Sequence, residues 1–407
     1  MGAFVTRLQA HVFLSAYACH PVDGSEPGVG WQVLSAALAE VETVTVLTRQ
    51  NNIDAVAGAL AAADADRCHV VGYDLPRLFT YLKKRLPAGT QLYYMAWQFG
   101  ARRVVRRVDS QRAISIAHHV TFAVDWMPTC LGALRADVPV IWGPVGGATT
   151  GSVRSLWLMG FRGALADVPR VVAAVVGRRL FGLREASHAS IIIAQNPTVA
   201  GNINRHANKI LVEPNAFIPA DFRISPSLPS PDPAIIRLIG VGRISGFKGW
   251  RLAVQVVARL PDNYELDIYG AGPDLPRLRH YIKRRGLESR VRLRGWASRP
   301  DVLQAVANAS CFIHPSFHDS APGVLAEAIS VGVPCVVLGV SGSAYMASLC
   351  GGLVVDPAGR DLPGRFAKEV MACRPPTDIG RFGVHRLPGL LRQWYELASS
   401  GTLTDGN

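Results

Sequence analysis

The sequence predicts an α/β protein made of two doubly wound domains, each a parallel sheet covered by helices. Three observations carry that prediction. Short β-branched or apolar runs alternate with longer amphipathic segments along nearly the whole chain, the pattern of strand, loop and helix units joined by right-handed crossovers. The chain has 407 residues, more than the roughly 250–300 at which one hydrophobic core stops growing. Six prolines crowd the stretch from Pro214 to Pro233, where fixed φ angles and missing backbone donors stop regular structure.

In order, the predicted strands are HVFLSAY (11–17), TVTVLT (43–48), AISIAH (113–118), PVIWG (139–143) and SIIIA (190–194) upstream of the prolines. Downstream come IRLIGVG (236–242), YELDIYG (264–270), VRLRG (291–295), SCFIHPS (310–316) and PCVVLG (334–339). Between them GWQVLSAALAEV (30–41) and RLAVQVVARL (251–260) space apolar residues as helices do. The boundaries follow: an upstream domain over 1–215, a linker over 216–234 and a downstream domain over 235–384. The last helical stretch, within 385–407, has two placements open to it, closing the downstream domain or crossing back onto the upstream one.

A chain that is 49% hydrophobic and 18% charged is neither disordered nor fibrous. Its seven cysteines (19, 68, 130, 311, 335, 350 and 373) are scattered without close pairs, which reads as buried thiols in a reducing compartment, with no disulfide framework and no metal site. Arg7 runs directly into a strand-like segment, so no secretion leader is expected. The longest charge-free run, between Glu327 and Asp356, is broken by Gly332, Pro334, Gly339 and Gly351, so no membrane-spanning helix is expected. These points predict a cytoplasmic protein.

The net charge is +13, and from Arg77 to Arg184 there are sixteen Lys/Arg against four Asp/Glu. Such a region suits an anionic partner, and a solvated basic face accounts for it equally well. Arg102, Arg103, Arg106 and Arg107 share one helical face beside Trp97, and Trp157, Phe161 and Phe181 lie among further arginines. That mixture predicts peripheral docking on the inner face of an anionic membrane. A nucleic-acid partner is not expected, because no reader motif or aromatic interleaving accompanies the charge.

Ligands of doubly wound sheets bind beyond the carboxyl ends of the strands, and four clusters fall there. The first, Gly24 to Trp31 (GSEPGVGW), joins a strand to a helix with glycines that permit close backbone approach, Gly28 among them; a tight turn explains it too. The second, Gly242 to Gly249 (GRISGFKG), places Arg243 and Lys248 on one glycine-bearing loop, where two cations can flank a diphosphate. The Walker spacing is absent. The third, His318 to Glu327, sets Asp319 and Glu327 eight positions apart, two acceptors for sugar hydroxyls; Asp319 would serve equally as a helix cap. The fourth is His118-His119 with Gly143-Pro144-Val145-Gly146-Gly147. Neighbouring strand residues point to opposite faces, so at most one of these histidines enters a cleft.

In that order, GSEPGVGW, AHHVTF with WGPVGG, GRISGFKG, YGAGP (269–273) and the acid pair of D319SAPGVLAE327 followed by VGVP resemble glycosyltransferase family 4. The resemblance runs along nearly the whole chain. It implies the GT-B fold, two Rossmann-like domains facing across a cleft, and a retaining, metal-independent transfer from a UDP- or GDP-linked sugar, a co-substrate that leaves no cofactor required. Implied donor-binding residues are Gly28, Gly242, Arg243, Lys248, Gly270, Gly272, Gly323, Val324 and Glu327. Implied catalytic residues are His118, Arg243, Lys248 and Asp319, with Asp319 and the Gly323 and Val324 amides at the donor sugar. His119, Gly146 and Gly147 would meet the acceptor, a cell-envelope glycan or lipid-linked molecule. A soluble small-molecule acceptor and a non-catalytic nucleotide-sugar-binding subunit are the alternatives. Asp319 departs from the family's usual Glu, and Pro322 from its usual Gly.

Overall fold

A computed structural model of the chain describes residues 6–86, 88–147, 161–219 and 234–401. Its strands separate into two all-parallel sheets. The upstream sheet holds β1 (Leu8–Ser15), β2 (Val41–Thr48), β3 (Cys68–Gly72), β4 (Ile116–His119), β5 (Val140–Val145), β6 (Ile191–Ala194) and β7 (Ile210–Val212) in the order β3-β2-β1-β4-β5-β6-β7. The downstream sheet holds β8 (Ile236–Val241), β9 (Tyr264–Tyr269), β10 (Val291–Gly295), β11 (Cys311–His314), β12 (Cys335–Leu338) and β13 (Leu353–Val355) in the order β10-β9-β8-β11-β12-β13. Strand order reverses between β1 and β4 and again between β8 and β11, and such switch points open crevices at the carboxyl ends of the strands.

The helices that build the site and its surroundings are α1 (Ser25–Glu40), α2 (Arg77–Arg85), α3 (Gly89–Gln111), α4 (Phe161–Gly177), α5 (Trp250–Val257), α6 (Gly323–Ser330) and α7 (Leu387–Gly401). Helix α1 buries Val33, Leu34, Ala37 and Leu38 against β1 and β2. It can lie that close because Gly30 has no side chain; a β-carbon there would collide with the Ala18 carbonyl. The helix begins at Ser25, so Gly28 and Gly30, which the sequence reading put on a loop, sit inside it.

Leu387, Leu391, Trp394 and Tyr395 of α7 are packed into the core that holds α1 and β1, so the last helix crosses back onto the upstream domain. Beside it the chain passes between the domains twice. Ile218 bridges Gly383 in parallel, its N–H donating to Phe382 O at 2.7 Å and its carbonyl accepting from Val384 N at 2.8 Å. Arg381 and Arg386 both pair with Glu213, at 2.6 and 3.1 Å, locking the two passages together. Most of the predicted linker, residues 220–233, lies outside the described residues. Six of the seven cysteines are buried and all are free.

Candidate functional site

The downstream strands β8 and β9 end in loops that nest by backbone contact. Gly242 and Gly270 hold φ of 153° and 140°, values that side chains rarely adopt. A β-carbon on Gly270 would strike the Gly242 carbonyl, and one on Gly272 the Ile244 carbonyl. The GRISGFKG loop is held from below by the Trp250 indole, which donates to Arg243 O at 2.9 Å. Gly249, with φ 72°, passes under Pro315 with no room for a side chain.

This nesting delivers Lys248 to Asp319. The ammonium donates to both carboxylate oxygens at 2.8 Å, and His314 Nε2 donates to Oδ2 at 2.9 Å. Burial works against ionisation of Asp319, but His314 and Lys248 outweigh it and hold the carboxyl well below the usual range. Asp319, which the resemblance implied would meet the donor sugar, is thus engaged by Lys248 and His314. Arg243 is exposed, and its guanidinium pairs with no acid among the described residues. Four residues after Asp319, α6 opens at Gly323 behind Pro322, and the amides of Gly323 and Val324 occupy its first turn, where no intrahelical acceptor exists.

Glu327, on the second turn of α6, pairs with Arg299 at 2.7 Å. Burial pushes its carboxyl up, with Arg299 pulling the other way. Glu327, Arg299 and Gly323 line a cleft of about 1080 Å³ whose opposite wall is Gly24, Ser25, Gly28 and Val29 of the upstream domain together with Asn215 and Phe217. Gly28 thus faces the downstream domain from the start of α1, and a β-carbon on Gly24 would lie 3.7 Å from the Arg299 guanidinium.

The domains also touch directly beside Asp319. Ser320 Oγ donates to Gly147 O at 3.0 Å and accepts from Gly147 N at 3.1 Å, while Asn196 Nδ2 donates to Ser320 O at 2.9 Å. This brings Gly146 and Gly147 next to the Lys248–Asp319 pair. Beneath Gly147 lies the Asp125 carboxylate, 2.9 Å from where a β-carbon would stand, itself held by Arg178 at 2.8 Å and Asn202 at 3.0 Å.

The two histidines are elsewhere. His118 is 0% exposed, donates from Nε2 to Gly143 O at 2.8 Å, and packs edge-on against Trp394 and Tyr395 of α7. His119 is 1% exposed and shares hydrogen bonds with Ser15 Oγ and Tyr94 OH at 3.0 Å. Burial drives their pKa values down to about 4 and about 3. Neither is among the residues lining the interdomain cleft, where the resemblance implied a reacting sugar at His118 and an acceptor at His119. The physical reason is that β4 is a central strand covered on both faces, and His119 is still inside it.

Sequence reasoning missed Glu26, His314, Arg299, Ser320 and Asn196. Glu26 Oε2 accepts from Phe122 N at 2.7 Å and Oε1 from Asn215 Nδ2 at 3.3 Å, tying α1 to the loop after β4 and to the first passage between domains; burial pushes its carboxyl up. Its position within GSEPG was the one signal available.

Residues 236–373 match the family described as "Glycosyl transferases group 1". The chain is similar to a 2-deoxystreptamine glucosyltransferase of Streptomyces kanamyceticus, 29% identical over 38% of this chain and 44% of that protein. It is also similar to a lipopolysaccharide 1,6-galactosyltransferase of Salmonella typhimurium, 31% identical over 26% of this chain and 30% of that one. The chain thus matches less than half the length of these relatives. Solved structures agree along nearly the whole chain. A glycosyltransferase involved in lipopolysaccharide biosynthesis, WaaG, aligns over 97% of this chain and 95% of its own with a TM-score of 0.54 at 16% identity. The sucrose-phosphate synthase of Thermosynechococcus elongatus aligns over 97% and 100% with a TM-score of 0.59 at 15% identity. The two-sheet architecture is the GT-B fold.

Proposed function

We propose that this GT-B chain, whose residues 236–373 match glycosyl transferases group 1, transfers a sugar from a UDP- or GDP-linked donor to a cell-envelope glycan or lipid-linked acceptor, without a metal and with retention at the anomeric carbon. The observation that supports it most is the convergence of Arg243, Lys248 and the open first turn at Gly323 and Val324 on one edge of the downstream sheet, with Glu327 in the adjoining cleft.

As the bond between the anomeric carbon and the diphosphate oxygen breaks, negative charge grows on that oxygen. Cations and amides already fixed in place stabilise it without reorganising. In this reading Arg243 and the helix start receive the diphosphate, which competes with Asp319 for the Lys248 ammonium. Glu327 accepts from ribose hydroxyls. The acceptor hydroxyl attacks from the face the diphosphate leaves, and its proton passes to the departing phosphate, so no protein nucleophile is needed. Gly147 and Ser320 bring the two domains together over this point.

The relatives whose names specify lipopolysaccharide as substrate support an envelope acceptor. The match to a 2-deoxystreptamine glucosyltransferase over 176 residues favours a second reading, a soluble aminocyclitol-like acceptor. Incubating the protein with UDP- and GDP-sugars, in parallel with lipid extract and with soluble acceptors, in the presence and absence of EDTA, decides among these. Proton NMR of the product reads the anomeric configuration, and an inverted product overturns retention. Absence of any donor turnover or binding overturns the reading altogether.

A further inference from the structure

We propose that Phe122, Arg49 and Asp74 form a subsite for the acceptor, fitted to an uncharged pyranose ring and closed to a cationic one.

Asp74, Arg49, Tyr17 and Phe122 each stand within three residues of the carboxyl ends of β3, β2, β1 and β4, strands that are neighbours in that order. Ligands of such sheets bind beyond this edge. The Tyr17 ring spans the group, its centroid 5.4 Å from the Phe122 ring and 5.7 Å from the Arg49 guanidinium. A disaccharide covers that span.

Phe122 holds φ 54°, a left-handed backbone that a bulky side chain rarely takes and glycine takes freely. Two neighbours enforce it: Glu26 Oε2 accepts from Phe122 N at 2.7 Å, and the next carbonyl, Ala123 O, accepts from Gly146 N at 2.8 Å. Contacts with Tyr17 and Tyr94 at 5.4 and 5.8 Å cover part of the ring, yet the residue stays 37% exposed. Strain that the surrounding structure imposes collects at ligand sites.

The same neighbours fix where the open ring stands. Glu26 also holds Asn215, which lines the interdomain cleft, and Gly146 precedes Gly147, which meets Ser320 beside Asp319. Phe122 therefore lies beside the cleft wall, between it and the point where the domains touch. His119 supports the cluster from below through the Tyr94 hydroxyl at 3.0 Å.

A pyranose presents a face of C–H groups and a rim of hydroxyls. An open aromatic ring suits the face, and a planar ion pair suits the rim. Arg49 holds Asp74 through two bonds of 2.8 and 3.2 Å, and both side chains remain partly exposed, at 21% and 25%. An arginine fork carries more N–H donors than one carboxylate consumes, so hydroxyls can join the pair.

Charge selects the ring. Arg49 lies 5.7 and 5.5 Å over the Tyr17 and Tyr93 rings, and Lys83 of α2 lies 5.1 Å over Tyr93. The aromatic faces that would attract an ammonium thus already carry cations, and Asp74 offsets only one of the two. An aminocyclitol would bring further positive charge to this edge. Trp97, which the sequence reading put at a membrane interface, is 0% exposed and donates to Tyr73 O at 2.8 Å beneath the cluster; Trp157 and the side chain of Phe161 lie outside the described residues. No helix among the described residues is long and apolar enough to cross a membrane.

Saturation-transfer NMR of the full chain, titrated with methyl glucopyranoside, methyl galactopyranoside, methyl mannopyranoside and 2-deoxystreptamine, tests the subsite. At least one pyranoside should bind, and 2-deoxystreptamine should bind roughly tenfold or more weakly. Phe122→Leu should weaken the pyranoside by about tenfold, whereas Phe122→Tyr, which keeps an aromatic face, should retain it. Arg49→Gln combined with Asp74→Asn withdraws both charges together and should cost roughly tenfold or more. If Phe122→Leu fails to fold, Phe122→Trp takes its place, and its added emission should change on saturation with the pyranoside. Absence of binding by all three pyranosides, binding unchanged in Phe122→Leu, or unchanged emission in Phe122→Trp overturns the proposal. So does 2-deoxystreptamine binding as tightly as the best pyranoside. The use of the subsite, presenting an acceptor hydroxyl to the donor, rests on the proposed function. Pyranoside binding is read without a donor, so its failure leaves donor turnover standing, and absence of donor turnover leaves the subsite standing.

Discussion

The Lys248 ammonium lies 2.8 Å from both oxygens of Asp319, so the downstream domain keeps its loop cation and its first acid as a neutral pair. Both side chains are less than one-fifth exposed. A pair of this kind contributes little net stability while intact and is costly to break from one side. Under the proposed function its value is positional, because the diphosphate of a donor would meet a lysine already held in place.

Lys248→Met is expected to leave Asp319 short of a partner and to lower stability by about 1–3 kcal/mol, read as a fall in unfolding temperature. Adding Asp319→Asn should restore much of that temperature. Turnover should stay two to three orders of magnitude down in both, by analogy with loss of one oxyanion donor, and Arg243→Ala should lose a similar factor with stability unchanged. A double variant that regains turnover together with stability would show that Lys248 has no part in leaving-group chemistry.

Gly270→Ala puts a β-carbon against the Gly242 carbonyl at a φ of 140°. The strain is worth about 1–3 kcal/mol, and relief requires the two loops to part, which displaces Arg243. We expect a lower unfolding temperature and at least tenfold weaker binding of UDP and GDP by calorimetry. Gly286→Ala, at positive φ but with open space around it, controls for backbone strain away from the site.

Arg299→Ala and Glu327→Gln should separate binding from stability. The Arg299 side chain is half exposed, and such a pair contributes at most about 1 kcal/mol to folding. If Glu327 receives ribose, Glu327→Gln removes a charge-assisted hydrogen bond of about 1.5–3 kcal/mol, a loss of roughly tenfold or more in nucleotide affinity. Unchanged affinity would place the ribose elsewhere.

The buried histidines predict acid sensitivity. Unfolded, each takes a proton near 6.5; folded, His118 does so at about 4 and His119 at about 3. Below pH 6.5 the unfolded chain therefore holds more protons, and stability falls as pH drops, by up to about 1.4 kcal/mol per pH unit for each group until its folded pKa is reached. Asp319 adds a loss of the same sign only below the ordinary carboxylate range. Thermal unfolding from pH 7 to pH 4 should fall more steeply for wild type than for His119→Gln. Equal slopes would mean His119 is not held neutral.

Nine of the ten strands read from the sequence are central strands of a parallel sheet, which are covered on both faces and stand out as short runs; the tenth, β10, lies at an edge and was legible from its alternation VRLRG. The three that were missed, β3, β7 and β13, all lie at sheet edges. Their residues are mostly half-buried, so no such run marks them. The glycines and charges at strand ends were legible for the same reason, since a chain that turns sharply beside a ligand needs particular residues at those positions.

By itself the sequence determined which segments become buried strands and which glycines and charges stand at their ends, because periodicity and turn chemistry are local. Only the tertiary structure decided that Asp319 would be taken by Lys248 and His314, that Ser320 would join the domains while Glu26 ties α1 to the first passage between them, and that His118 and His119 would be walled in by α7, Ser15 and Tyr94. Those partners lie up to 277 residues apart in the chain, and their pairing depends on how two sheets and a returning helix pack, which no local pattern encodes.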